Sequence, residues 1–110
     1  MEEGLISFSE WEKIDLRVGK IIKVENHPNA DKLYVLEVDL GTEKRKLVAG
    51  LRQYYKPEEL KNEPCIIFVN LEPAVIRGVK SEGMILAAVK DDKVKIIQPE
   101  GKIELGSRIA

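Results

Sequence analysis

Residues 34–49 carry the pattern that most restricts the fold. Apolar side chains occupy every second position from Tyr34 to Leu40. Gly41 then opens a polar turn, and residues 44–49 resume a strand-like run. Because successive side chains of a strand point to opposite faces, this alternation predicts an antiparallel hairpin with one buried face. Such a hairpin needs further strands to complete a core, which directs the chain towards a sheet or a barrel.

The rest of the chain supplies the other elements of a small barrel. Strands are predicted over residues 16–25, 34–40, 44–49, 64–70 and 84–90, with a further short strand over residues 94–97. A single helical turn is predicted over residues 56–61, because Pro57 is tolerated at a helix start. A short helix between the third and fourth of five strands is the element order of an OB-fold barrel. We therefore predict an all-β, five-stranded OB-fold barrel with short helices and a C-terminal extension, in one domain over residues 1–110.

Three local signals refine this barrel. Residues 9–12 have capping-box spacing, which predicts a helical turn that plugs the barrel end with Trp11. The alternation of the first strand breaks just after Gly19, which predicts a β-bulge there. The tail is too irregular to complete a barrel, yet it carries Ile103, Leu105 and Ile109. We expect these side chains to need a partner surface, most simply a second copy.

Length and composition exclude several classes of protein. A chain of 110 residues with 44% apolar residues can build a core without disulfides or metal staples. Cys65 is the only cysteine, which rules out an internal disulfide and a cysteine-cluster zinc site, and its apolar neighbours predict a buried core thiol. No apolar run is long enough to span a membrane, and the N-terminus lacks a signal-peptide pattern. We expect a soluble, cytoplasmic protein that does not bind membranes.

Charge is distributed unevenly along the sequence. The formal net charge is −1, which argues against a uniformly basic binder of nucleic acid. Residues 44–57, however, contain five cations and no acid, and Arg77 and Lys80 add two more cations. This imbalance favours a dipolar surface with one basic face. The alternative is an ordinary mixed, solvated surface.

The sequence offers little that could carry catalysis. His27 is the only histidine and lies in an evident turn before Pro28, so a structural role is favoured over a general base. No residue spacing indicates a metal site, and no glycine pattern indicates a nucleotide cofactor. We expect a chain that is not an enzyme by itself and that uses no cofactor.

The candidate binding residues lie in loops and at strand ends. Residues 26–32 join the first two strands, where OB-folds carry a loop that grips oligonucleotides. In this loop Lys32 is predicted to contact phosphate, while loop-shaping roles are predicted for Asn26, His27, Asn29 and Asp31.

Two further segments complete the predicted binding set. Arg45 has a planar guanidinium that suits phosphate and base edges, with a solvated edge strand as the alternative. Residues 77–84 combine two glycines that permit close backbone approach with cations, a hydroxyl and a soft apolar side chain. The binding candidates in this segment are Arg77, Lys80, Ser81 and Met84.

Several ordered motifs resemble the tRNA-binding domain family over about residues 8–110. They are residues 15–21 (DLRVGKI), 27–33 (HPNADKL), 38–41 (VDLG), 48–51 (VAGL) and 77–88 (RGVKSEGMILAA). The resemblance implies an OB-fold that recognises the shape and phosphate backbone of tRNA, and a homodimer formed largely through the C-terminal extension. It implies tRNA-binding roles for Ser81 and Met84, with basic help from Lys32, Arg45, Arg77 and Lys80. The implied partners are tRNA and the methionyl-tRNA synthetase catalytic subunit, which the domain would assist in aminoacylation.

Two other functions remain open at the level of sequence. The basic strip could dock an acidic protein, which would make the domain a protein-interaction or dimerisation module of a synthetase complex. The domain could instead bind single-stranded nucleic acid in general, although such binders need aromatic stacking platforms. Aromatic residues are only 5% of this chain, and Tyr34, Tyr54 and Tyr55 are the main candidates.

Overall fold

The computed structural model describes residues 3–110 of the chain. The short helices are α1 (Phe8–Glu12) and α2 (Pro57–Leu60). The strands are β1 (Leu16–Asn26), β2 (Tyr34–Asp39), β3 (Lys44–Ala49), β4 (Pro64–Phe68), β5 (Ala74–Ile76), β6 (Val79–Ser81), β7 (Met84–Ile85), β8 (Ala87–Lys90) and β9 (Lys93–Ile96). No helix in this part of the chain is long and apolar enough to cross a membrane.

The strands form a nearly closed antiparallel barrel. Five of them pair in the order β3-β2-β1-β4-β7, while β5–β6 and β8–β9 are separate hairpins. The free edge of β3 faces the segment that follows β6, where the Glu82 amide donates to the Lys46 carbonyl at 2.9 Å. Closing the sheet in this way satisfies strand-edge groups that would otherwise face solvent. The predicted all-β OB-fold barrel is confirmed.

The barrel interior is filled by the alternating apolar side chains that the hairpin pattern indicated. Leu36, Val38 and Leu47 are fully buried and pack with Ile21 and other residues of β1 and β4. Cys65 is buried in the same cluster, and desolvation raises the pKa of its thiol to about 12. The predicted core thiol is therefore confirmed, and at neutral pH it stays protonated and unreactive.

The β-bulge of β1 lies three residues later than predicted. The register with β2 shifts between Ile21 and Lys23, so Ile22 is the extra residue rather than Gly19. Gly19 is needed for a different reason, because a Cβ at this position would come within 2.5 Å of Val38 Cγ1. The break in the alternation of β1 therefore has two causes: the bulge at Ile22 and the close approach of β2 to Gly19.

The segment after β4 contains more strand than the sequence indicated. The predicted fifth strand is split into β7, which pairs with β4, and β8, which pairs with β9. Residues 74–81 were expected to be loop but form the β5–β6 hairpin. Its two-residue turn is Arg77-Gly78, with φ of 52° and 91°, which is the backbone of a type I′ turn.

The C-terminal extension packs back onto the chain's own barrel. The Gly106 amide donates a hydrogen bond to the Val18 carbonyl at 2.8 Å, and the Ile109 amide donates to the Leu16 carbonyl at 2.9 Å. Leu105 and Ile109 are partly buried against the same apolar cluster as Trp11. β1 thus supplies, within the chain, part of the apolar surface that these two side chains pack against. Ile103, in contrast, is 56% exposed.

Helix α1 begins earlier than predicted. The N-cap is Ser7, whose hydroxyl accepts from the Glu10 amide at 3.1 Å while the Glu10 carboxylate accepts from the Ser7 amide at 3.0 Å. The capping box therefore spans residues 7–10 instead of 9–12. This cap turns the chain so that Trp11 reaches the apolar cluster at the base of β1.

Candidate nucleic-acid interface

His27 organises the loop that joins β1 and β2, which we call the β1–β2 loop (residues 27–33). Its side chain is buried, and its Nδ1 accepts from the Asn29 amide at 2.9 Å. Its Nε2 lies 3.0 Å from the carbonyl oxygen of Ile76 in β5. Since an amide donates and a carbonyl accepts, these partners assign the proton to Nε2 of a neutral ring. Both nitrogens are engaged, so the ring has no position left for a general base.

Asn29 joins the same loop to the β5–β6 hairpin by two reciprocal hydrogen bonds. Its Nδ2 donates to the Arg77 carbonyl at 3.1 Å, and an Arg77 guanidinium nitrogen donates to the Asn29 carbonyl at 3.3 Å. Loop and hairpin tip therefore form one surface unit. We call this unit, residues 27–33 with residues 74–81, the loop–hairpin unit.

The loop–hairpin unit presents three of the predicted cations to solvent. Arg77 and Lys80 are exposed on the hairpin, and Lys32 is exposed on the loop. Among residues 3–110, none of the ion pairs within 4.0 Å involves these three side chains. Their positive charge therefore remains available to an anionic partner.

Arg45 lies elsewhere and has other partners. It shares the inward side of β3 with Leu47 and pairs with Val38, four residues or about 13 Å along β2 from the end that meets the loop. Its Nε donates to Glu43 at 2.6 Å, and its NH1 donates to the carbonyl oxygens of Val69 and Glu82. Arg45 is therefore engaged by a carboxylate and by backbone oxygens, whereas Arg77 and Lys80 are exposed.

Ser81 is part of the barrel closure. Its hydroxyl accepts from the Val48 amide at 2.9 Å and donates to the Gly83 carbonyl at 3.1 Å, and the residue is only 4% exposed. The side chain thus satisfies the free edge of β3 at the point where β6 approaches it. Ser81 shapes the surface from beneath.

Met84 lies in a groove apart from the three cations. The residue is 45% exposed and lines an open groove of about 310 Å³ together with Tyr54, Gly50 and Val89. An aromatic ring and a polarisable thioether suit the flat face of a base or an apolar side chain.

Four lysines on the outer face of the barrel were missed as interface candidates. Cross-strand rows place Glu37 between Lys23 and Lys46, and Asp39 between Lys20 and Lys44. These lysines are exposed, whereas the two central acids are half-buried. The signal was present in the sequence, because the alternation of β3 puts Lys44 and Lys46 on the side opposite the buried Leu47.

Lys46 connects this outer face to the loop–hairpin unit. It lines a groove of about 280 Å³ with Pro28 of the loop and Val79 of the hairpin. Glu25, which lies 3.8 Å from Lys23, borders the same groove. Opposite charges thus limit the field of the outer face. No cluster of potential metal ligands occurs within the described residues.

Comparison with known proteins identifies the family. The family model described as "Putative tRNA binding domain" matches residues 16–108, which is most of the chain. The chain belongs to the tRNA-binding domain family. It is 57% identical over 104 residues to the methionine–tRNA ligase of Pyrococcus furiosus, covering 94% of this chain but 14% of the ligase. The corresponding ligase of Thermotoga maritima is 39% identical over 109 residues, covering 99% of this chain and 17% of the ligase.

Solved structures of tRNA-binding domain size give the same result. A MetRS-related protein from Pyrococcus horikoshii superposes with a TM-score of 0.90 at 36% identity, covering 96% of this chain and 98% of that one. The CsaA chaperone protein from Picrophilus torridus superposes with a TM-score of 0.89 at 35% identity, covering 96% of this chain and all of the other. The domain is thus similar both to pieces of long ligases and to short independent chains.

Proposed function

We propose that this domain binds tRNA through its phosphate backbone and overall shape. The observation that carries the proposal is the loop–hairpin unit, where Lys32, Arg77 and Lys80 are exposed without carboxylate partners among residues 3–110. Cations that neutralise phosphates release condensed counterions, which supplies affinity without reading base sequence. Membership in a family of tRNA-binding domains supports RNA as the polyanion.

The neighbouring surfaces would extend this contact. Lys46 borders the loop–hairpin unit and would meet the backbone beside it. The groove at Met84 and Tyr54 would receive an exposed base or ribose at the edge of the footprint. Ser81 and Arg45 would act indirectly, since the first closes the barrel under the hairpin and the second ties its base to β3.

Recognition of tRNA shape would be strongest in a homodimer. Leu5, Ile6, Phe8 and Ile103 are each more than half exposed, and apolar surface of this kind favours association with a second copy. Two loop–hairpin units held at a fixed separation would contact two arms of one tRNA, and RNA without that spacing would gain only one contact.

The biological role that fits these features is assistance to a methionyl-tRNA synthetase in the cytoplasm. The ligase relatives contain a segment like this chain within a much longer protein. A bound tRNA held near the catalytic subunit would raise its effective concentration there, while the chemistry stays with the ligase.

A second candidate is a protein-interaction module. The similarity to CsaA, which is described as a chaperone protein, and the open groove at Met84 favour binding of an apolar polypeptide segment. Competition separates the two functions: an apolar peptide that occupies the groove should leave most of the tRNA affinity intact if the cations carry it.

The direct experiment is a salt titration of tRNA binding. If the domain contacts roughly 4–6 phosphates, log affinity should fall against log salt with a slope of about −4 to −5. An unstructured RNA of equal length serves as control, and it should bind more weakly at every salt concentration. A flat response, or equal affinity for both RNAs, would contradict electrostatic recognition of tRNA shape.

A further inference from the structure

The tip of the β5–β6 hairpin is held by side chains of the β1–β2 loop. The hairpin is a separate two-stranded sheet, so no continuous strand ladder connects it to the five-stranded sheet. Three hydrogen bonds cross from the loop to the hairpin: His27 to Ile76 at 3.0 Å, Asn29 to Arg77 at 3.1 Å, and Arg77 back to Asn29 at 3.3 Å. These polar bonds therefore decide where the tip lies.

His27 connects Asn29 of the loop with Ile76 of the hairpin. Its ring is 3% exposed, and it receives the Asn29 amide on one nitrogen while the other engages Ile76. A buried polar group that loses its partner carries a desolvation penalty, so loop and hairpin are fixed together by the same ring. The Asn29 backbone, which accepts from the Arg77 guanidinium, is held in place by that ring.

The backbone of Arg77 adds to this constraint. The residue has a φ of 52°, a left-handed conformation that non-glycine residues adopt only where the surroundings enforce it. Asn29 binds its carbonyl oxygen, and its guanidinium folds back over the loop. The direction of the Arg77 side chain is thus fixed relative to the loop that carries Lys32.

We propose that His27 and Asn29 are positioning residues of the tRNA interface. They hold loop and hairpin as one rigid piece, so that Arg77 and Lys32 meet the RNA backbone at a preset spacing. Ordering these side chains before binding removes an entropy cost from association. This proposal rests on the proposed tRNA binding. It assigns the side chains of His27 and Asn29 a role in holding the interface together, without contact to the RNA.

A double-mutant cycle tests it on the intact chain. Arg77→Ala, Asn29→Ala and the combination are compared by tRNA affinity at low salt. Arg77→Ala should weaken binding about fivefold and reduce the magnitude of the salt slope by about 0.7–0.9. Asn29→Ala should weaken binding about threefold in the native background and have almost no effect once Arg77 is absent, because coupled residues are not additive. Full additivity, or no effect of Asn29→Ala alone, would overturn the proposal.

A matched control and an RNA-free measurement separate positioning from general stability. Lys93→Ala removes an exposed cation from the β8–β9 hairpin, outside the loop–hairpin unit, and should leave affinity unchanged. His27→Gln should speed amide hydrogen exchange in residues 74–81 while exchange in β1 and β4 stays slow. Equal acceleration throughout the barrel would mean that His27 is merely part of the core, and the positioning role would be rejected.

The outcomes also distinguish this proposal from the proposed function. If the native chain fails to bind tRNA, the function itself is wrong. If the native chain binds and Arg77→Ala weakens binding, but Asn29→Ala does not, only the positioning role fails. A neutral ring with its proton on Nε2, seen in the nitrogen spectrum of His27, is expected in the unbound domain. The opposite tautomer would contradict the clamp directly.

Discussion

Arg45 and Arg77 show two different uses of a cation in the same barrel. Arg45 donates to the Glu43 carboxylate and to two backbone carbonyls, and its side chain is 25% exposed. Arg77 is exposed, and among residues 3–110 its guanidinium donates one hydrogen bond, to the carbonyl oxygen of Asn29. The first arginine serves the fold, whereas the second remains available to an anion.

The difference shows that a count of cations overestimates the charge a surface can offer. An arginine that is already paired must lose its partner before it can bind phosphate, and that loss offsets much of the gain. The surroundings of Arg45 also contain Asp15, Arg17 and Arg108, so cations and acids are mixed there. Within the described chain, none of the ion pairs involves Lys32, Arg77 or Lys80.

The largest effect is expected from Arg45→Met, and it should appear in stability. The variant keeps the apolar stem but leaves two carbonyl oxygens and Glu43 without their donor, which should lower the free energy of unfolding by about 2 kcal/mol. Chemical denaturation measures this change, and Lys44→Ala on the exposed side of β3 is the control. A salt slope for tRNA binding that falls by about 0.9 would instead place Arg45 on the RNA.

Arg77→Ala should weaken tRNA binding and leave stability almost unchanged, and the change in free energy should be smaller than for Arg45→Met. Affinity for every tRNA should fall by about 1 kcal/mol, because one phosphate contact is lost, while the free energy of unfolding changes by less than about 0.5 kcal/mol. Binding measured for several tRNA species checks both parts. A loss confined to one tRNA would indicate base readout and contradict the backbone mechanism.

The parts of this comparison that depend on alternation could be predicted from the sequence. The period of β2 and β3 gave the hairpin, the core side chains and the barrel class. The same period places Arg45 on the inward side with Leu47 and Lys46 on the outward side, so a structural role for Arg45 was already indicated. Side-chain type suggests what a residue can bind, but its position in the alternation of the strand decides which face it points to.

Contacts between distant segments could not be predicted in this way. Ser81 is buried because it meets Val48, 33 positions earlier, and nothing local marks that pairing. The β5–β6 hairpin was missed because its strands have three residues each and Val75 is 72% exposed, which leaves almost no apolar alternation. Its turn was the available signal, since Arg-Gly accepts the positive φ of a type I′ turn.

Lys46→Ala should have a weaker effect than Arg77→Ala and would sharpen the boundary of the binding surface. Lys46 borders the loop–hairpin unit, but Glu37 lies directly across from it and compensates part of its charge. We therefore expect a loss of about 0.5 kcal/mol in tRNA affinity. Filter binding at low salt measures it, with Lys93→Ala as reference; a loss larger than that of Arg77→Ala would move the centre of the footprint to the outer face.

The smallest effect is expected for Asp15 and concerns the stability of the fold at low pH. The hydrogen bond from Arg17 lowers the pKa of Asp15, helped by the charges of Arg17, Arg108 and Arg45 against the opposing effect of burial. A carboxylate with a lowered pKa stabilises the fold above its ordinary value of about 3.9, and this contribution disappears as pH falls through the folded-state value. Asp15→Asn should therefore flatten the stability profile below about pH 4. An unchanged acid profile in thermal unfolding would contradict this assignment.

The most direct test of the central claim is a map of amide chemical shifts as tRNA is added to the labelled domain. We expect the largest changes in residues 27–33 and 74–81, smaller ones around Lys46, and few at residues 43–45 and 69–70. The largest changes around Arg45, with the loop–hairpin unit unaffected, would contradict it.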